Sequence, residues 1–266
     1  MSEKLRLGGM ALRNGLLVHG PSQWAAAFRT DAGELKVASG RKPSLGSHAV
    51  ERLPGVRGVT KLAEAMVVIP LVKRHLPEAR LPMQDVRTLG AMGGATLIGR
   101  ALRSPGGGRT LAREAALAGI SLLPAMLALR GGDLASYHGV EHKSIAAYEQ
   151  DSEDAAGAAK EHDRCGSNLV APMLVSTTAG NVAVRRAGLR GPAAEAIVGL
   201  GSVAFAVEVF AWSERHSDSA LARLLRRPGH EIQRVIGTRE PTPEQLEVGQ
   251  AALDEILRVE GSSSGE

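Results

Sequence analysis

Along most of the chain apolar residues recur at helical spacing, but residues 22–40 alternate at period two. There the apolar-rich runs 24–29 and 35–38 flank Asp31, Ala32 and Gly33, a short glycine-containing connection, and the spacing predicts a β-hairpin. Residues 41–57, with Pro43, Gly46, Pro54 and Gly55, read as a linker. A helix follows over 59–75, in which Pro70 should introduce a kink, and Ser104, Pro105 and three glycines make a second break. From Thr110 the pattern is helix after helix, at about 110–130, 133–150, 168–186, 193–215 and 217–226. A last helix is marked by Thr242 at the N-cap, Pro243 in the first turn and Gln245 three residues on, before a stripe of Leu246, Leu253, Ile256 and Leu257. These elements predict a mainly α fold, a helical bundle with a small N-terminal β-hairpin element, and leave open whether the bundle is membrane-associated. It divides into a hairpin and loop region (1–58), a helical core (59–240) and an amphipathic C-terminal helix with a loose tail (241–266).

Composition narrows the classes. The 266 residues are 44% hydrophobic and 23% charged, enough to bury a core, while aromatic residues at 3% argue against a stacking nucleic-acid module. Cys165 is the single cysteine, which excludes an internal disulfide and a four-thiolate zinc cluster and suits a reducing compartment. The net charge of +4 fits an anionic lipid surface as well as nucleic acid. Three apolar stretches, 115–129, 169–184 and 196–212, are each short of the roughly 20 residues that span a bilayer, so they read either as marginal spans or as buried bundle helices. The N-terminal residues carry Lys4 and Arg6 without a following apolar run and do not read as a signal peptide. The expected location is the cytoplasmic side of the cell membrane, with a cytoplasmic protein as the alternative. Membrane lipid is the expected partner and nucleic acid is not; protein partners, homo-oligomers included, stay open.

The chemistry concentrates in Tyr137-His138-Gly139-Val140-Glu141-His142-Lys143. Histidines four apart share one helix face and reach a single metal ion, and Glu141 lies next to that face. The order is H-x-x-E-H, in which the carboxylate acts as general base. His162 and Cys165, separated by two residues in a turn, are candidates for the third and fourth ligands. Arg164 and the N-terminus of the next helix favour ionisation of the thiol. Glu149 lies on the histidine face, and Glu208, in an otherwise apolar helix, needs a cation, a metal or a hydrogen-bond network. The plainer readings are surface histidines, a buried apolar Cys165, a Glu208 facing Arg185 or Arg186, and Arg223, Arg226 and Arg227 as a solvated basic stripe. Mixed N and S ligands favour zinc. The functional expectation is a zinc-dependent hydrolase with His138 and His142 as ligands, Cys165 or Glu208 completing the sphere, Glu141 as base and Arg164 polarising an oxyanion. The alternative is a membrane scaffold in which His138, His142, His162 and Cys165 close a structural site. A thiol-based enzyme is weaker, because no resolving cysteine exists.

Taken together, the central block, Arg164-Cys165-Gly166, Gly8-Gly9-Met10-Ala11, Val207-Glu208, Pro228-Gly229 and Thr238-Arg239-Glu240-Pro241 resemble the YqhQ-like family. These are bacterial proteins of unknown activity described as predicted metal-dependent enzymes and usually membrane-associated. The resemblance implies His138, Glu141, His142, His162, Cys165 and Glu208 as the polar centre of a helical, membrane-embedded core. The chain departs from the family in having Ser167-Asn168-Leu169 after Arg-Cys-Gly and Leu17-Val18-His19 near its start, which leaves the metal constellation intact.

Overall fold

The alternation at 22–40 belongs to a larger unit than a hairpin. In a computed structural model, which describes residues 4–46, 53, 55–82, 84–102, 111–130, 132–152, 154–189 and 191–263, the chain opens with a four-stranded antiparallel meander. Its strands are β1 (Gly8–Ala11), β2 (Gly15–His19), β3 (Gln23–Arg29) and β4 (Leu35–Arg41), paired in sequence order, with Leu17 opposite Ala26 and Ala27 opposite Val37. Strand starts seven, eight and twelve residues apart and short turns make this connectivity local, and Gly33 turns the last hairpin with φ of 82°.

Both faces of the sheet are covered. Leu16, Val18, Ala25 and Ala27 point to one side, where they pack on Leu134, Tyr137 and Val140 of the helix Leu134–Glu149 and on Val248, Ala252, Leu253 and Ile256 of the C-terminal helix Pro243–Ser263. Leu17, Trp24, Ala26 and Phe28 point to the other, against Val68, Val72 and Leu76. The period-two side-chain alternation thus feeds two cores at once, each fully buried Leu or Val contributing about 1.5–3 kcal/mol.

The helices are α1 (Val56–His75), α2 (Val86–Leu102), α3 (Leu111–Ser121), α4 (Leu123–Arg130), α5 (Leu134–Glu149), α6 (Val170–Arg186), α7 (Pro192–Arg215), α8 (Ala220–Ile232) and α9 (Pro243–Ser263). Pro70 lies inside α1, and the expected helix over 110–130 is interrupted near Leu122, one residue before α4 and its Pro124. Helix α2 has no counterpart among the expected elements, and α8 reaches six residues beyond the expected 226. The expected cap of α9 is present: Thr242 Oγ1 accepts from the Gln245 amide at 3.3 Å and Gln245 Oε1 from the Thr242 amide at 3.0 Å. The expected break at 104–108, much of the 41–57 linker and the last residues of the tail lie outside the described residues.

Away from the sheet, α6 and α7 form an antiparallel pair joined through Gly188 and Gly191, both at positive φ. A buried ion pair between Glu114 and Arg185 ties α3 to α6. This helical layer leaves Val175, Ile197, Leu200 and Phe205 exposed. Two segments, Ala112–Arg130 and Pro192–Arg215, are long and apolar enough to cross a membrane, with mean hydropathy of 1.4 and 1.7 and only 17% and 22% of their apolar windows buried within the protein. Helix α5, almost wholly buried, lies between the sheet and this layer and carries the site.

Candidate metal centre

Helix α5 presents His138 and His142 one turn apart, their rings 4.4 Å between centroids. Each ring is oriented by a backbone carbonyl. His138 donates from Nδ1 to Gly237 O at 2.8 Å, and His142 from Nδ1 to Lys160 O at 2.6 Å. A carbonyl only accepts, so both protons are fixed on Nδ1 and both Nε2 lone pairs are available. Cys165 Sγ lies 3.4 Å from His138 Nε2, and His142 Nε2 is buried with no hydrogen-bond partner among the described residues. One atom from each of His138, His142 and Cys165 falls within 4.8 Å of the others.

The carbonyls that aim the histidines are themselves held. Gly139 lets the strand-like segment after Gly237 lie directly on α5: a Cβ there would stand 2.3 Å from Arg239 O. The Arg239 amide in turn donates to Ala135 O at 2.9 Å. On the other side, buried Lys143 donates from Nζ to Ala156 O and Ala158 O at 2.9 and 2.7 Å and pairs with Glu240, fastening the 154–163 loop over the helix. The fully buried Gln233 accepts from the His162 amide at 2.7 Å and donates to His162 O and Ser167 Oγ. Asp163 takes Arg226 and His230 of α8, each at 2.8 Å. None of Lys143, Gln233, Gly139 or Gly237 was singled out as a site residue from the sequence; they act through contacts distant along the chain, and no local spacing marks them.

The remaining candidates are placed as follows. His162 stands 5.7 Å from His142 between ring centroids, outside the His138, His142 and Cys165 grouping. Its Nδ1 accepts from the Arg164 amide and its Nε2 donates to Glu149, both at 3.2 Å. The Arg164 guanidinium contacts Glu149 and lies 4.0 Å from Glu214. Glu208, on α7, accepts from the Gly55 amide at 2.7 Å at the start of α1, away from the histidines, while Arg185 is taken by Glu114. Glu141 is buried against β1, where a Cβ on Gly9 would meet its carboxylate at 2.8 Å.

Electrostatics differ from one expectation. Rather than being ionised by Arg164, the Cys165 thiol has its pKa raised by burial, with the hydrogen bonds from Ser167 opposing it weakly; the guanidinium has gone to Glu149 instead. Burial lowers His142 to about 3, helped by the neighbouring His138, and lowers His162. It raises Glu141 to about 7, with His138 acting in the opposite sense. His142 is therefore a neutral, desolvated N donor beside a protonated thiol, the state in which an imidazole ligates a metal and a thiol yields its proton to one. Beside it, an open cleft of about 440 Å³ is lined by Arg6, Glu149, His162, Arg164, Glu214 and Arg226 among others, so that His162 stands in the cleft wall with its ring 5.7 Å from that of His142.

Residues 132–259 match the model of a family described as a protein of unknown function, DUF1385. The matched segment, just under half of the chain, starts at the head of α5 and ends within α9, and it contains His138, Glu141, His142, His162, Cys165 and Glu208. No curated protein and no solved structure matches the chain.

Proposed function

We propose that the protein is a membrane-associated, zinc-dependent hydrolase of the YqhQ-like kind, in which His138, His142 and Cys165 hold the ion. The observation that carries the reading is the pair of Nδ1 anchors. A histidine whose Nδ1 proton is given to a backbone carbonyl leaves Nε2 free to ligate, the second-sphere arrangement of a metal ligand; here two such rings stand together, His138 Nε2 facing the Cys165 thiol and His142 Nε2 buried without a hydrogen-bond partner among the described residues. The two N donors and one S donor suit zinc, which when bound would supply Lewis-acid activation of water near neutral pH.

The ligand count favours catalysis over a closed structural site. Three donor atoms cluster, and His162, the fourth candidate, has both ring nitrogens engaged by Arg164 and Glu149. Glu141, held near a pKa of 7 by burial, is the group suited to take and return a proton. Arg164, on the cleft wall and steadied by Glu149, offers its guanidinium to an oxygen that gains negative charge. The reading places the site on the cytoplasmic side of the cell membrane, with the two long apolar segments as the attachment.

The test is metal content by elemental analysis of purified wild type, His142→Ala, Cys165→Ser and Glu141→Gln, with hydrolysis of nitrophenyl esters and fluorogenic peptides followed in parallel. Near-stoichiometric zinc in the wild type, lost in the first two variants and kept in Glu141→Gln without hydrolysis, is expected. No metal in the wild type overturns the reading; full hydrolysis by Glu141→Gln removes the base from it.

A further inference from the structure

Helix α8 has two faces of opposite character. Ala222, Arg226 and Gly229 turn inward, followed on the same line by Gln233, and Asn168 stands so near Gly229 that a Cβ there would meet its Oδ1 at 2.1 Å. The outward face carries Leu221 and Leu224, 54% and 62% exposed, and, one turn past the helix, Val235 at 64%. Spaced at i, i+3, i+7 and i+14 with Pro228 between them, these four positions form one apolar stripe. Arg223 and Arg227 are exposed along its side, and Arg227 makes no ion pair among the described residues. An open groove of about 800 Å³ runs beside the stripe, lined by Ser217, Arg223, Leu224, Arg226, Arg227 and His230.

An apolar stripe edged with arginines costs free energy in water and gains it where hydrocarbon and anionic oxygen lie within one side-chain length of each other. Position adds a second argument. Helix α8 begins five residues after the end of α7, whose Ile197, Leu200 and Phe205 are exposed and which is long enough to cross a bilayer, so α8 starts where a spanning helix would leave the hydrocarbon. Arginine is suited to phosphate oxygens through its planar fork, and the groove supplies three arginines and one histidine against Asp163 and Asp218.

We propose that α8 lies in the plane of the membrane surface as a docking helix for anionic phospholipid, with Leu221 and Leu224 at the acyl boundary and Arg223 and Arg227 on headgroup phosphates. This rests on the membrane attachment proposed above and is independent of the metal. It has a consequence for the site. Gln233, at the end of α8, holds the His162 backbone, and Asp163 is clamped by Arg226 and His230, so the headgroup layer bears on the loop that carries Cys165.

Depth measurement by spin label tests it. Leu224→Cys and, separately, Phe205→Cys are made in a Cys165→Ser background, labelled with a nitroxide and reconstituted in nanodiscs of phosphatidylcholine alone or with phosphatidylglycerol. Collision with oxygen against a water-soluble nickel chelate then reports depth. The label at 205 is expected deep in both. The label at 224 is expected within about 10 Å below the phosphates in the anionic discs, shallower in phosphatidylcholine, and moved toward water when Arg223→Glu and Arg227→Glu are added. A label at 224 that stays in water while 205 is deep overturns the docking helix and leaves the attachment standing. Water contact at both positions overturns the attachment and the docking helix with it. Dipolar broadening at 224 marks a second copy of the chain on this face and likewise overturns the proposal.

Discussion

Adding one methyl group at Gly139 tests whether the close approach of the 237–241 segment aims a ligand histidine. In Gly139→Ala the new Cβ meets Arg239 O at 2.3 Å, and a backbone carbonyl cannot rotate away. Restoring ordinary contact moves the segment outward by roughly 1 Å, stretching the 2.8 Å bond from His138 Nδ1 to Gly237 O to about 3.8 Å, beyond hydrogen-bond reach. Overpacking costs about 1–3 kcal/mol and the lost hydrogen bond about 1 kcal/mol, offset by about 1 kcal/mol of helix propensity gained by alanine. The net is a destabilisation of about 1–3 kcal/mol. Zinc affinity, which depends on the orientation of the ring, falls about 10–100-fold. Thermal denaturation in chelator reads the first quantity and competition with a chromophoric chelator the second. Gly249→Ala is the control: its Cβ meets Val140 Cγ1 at 2.4 Å and Ser144 Oγ at 2.5 Å, so it strains the α5–α9 packing without touching either Nδ1 anchor. Equal loss of zinc affinity in both variants, or none in Gly139→Ala, would refute the reasoning.

Other consequences follow from the same geometry. Zinc binding at pH 7 should release about one proton per ion, because burial keeps the Cys165 thiol protonated while His142 is already neutral; a pH indicator in weak buffer measures it, and Cys165→Ser should abolish it. In the metal-free protein Glu141 carries a proton, which the unfolded chain has released, over the window from about pH 4.5 to about 7. The folded state then binds more protons, so this group's contribution to stability falls as pH rises through that window. Glu141→Gln removes the loss, and its stability relative to wild type should rise by roughly 3 kcal/mol between pH 4.5 and 7 in urea titrations; a pH-independent difference would contradict the buried, protonated carboxyl. Lys143→Met should cost about 2–4 kcal/mol, since two loop carbonyls lose a charged donor, and should weaken zinc binding by freeing the loop that supplies Lys160 O. Protease nicking between 154 and 163, faster in the variant, would show the released loop.

What was legible in the sequence is what depends on neighbours a few residues away. The helical spacing of His138 and His142, the capping pair of Thr242 and Gln245 and the β3–β4 turn at Gly33 are local, because each is decided by bond geometry within one helical or hairpin turn. The earlier strands were not legible. β2 is buried on both faces, so Leu16, Leu17 and Val18 read as an undivided apolar run, and β1 contains two adjacent glycines. Helix α2 was hidden by Gly90, Gly93, Gly94 and Gly99, whose low helix propensity masks the segment in a local reading. The ligand set divided in the same way. Two residues separate His162 from Cys165, and no local rule chooses between them. Gln233, 71 residues from His162, holds the backbone that turns His162 toward Glu149 and leaves the thiol facing His138. Periodicity and caps belong to the sequence because they are short-range; the partners of β2, the fixed Nδ1 protons and the third donor atom belong to the tertiary structure, because each is set by a group that only folding brings within hydrogen-bond distance.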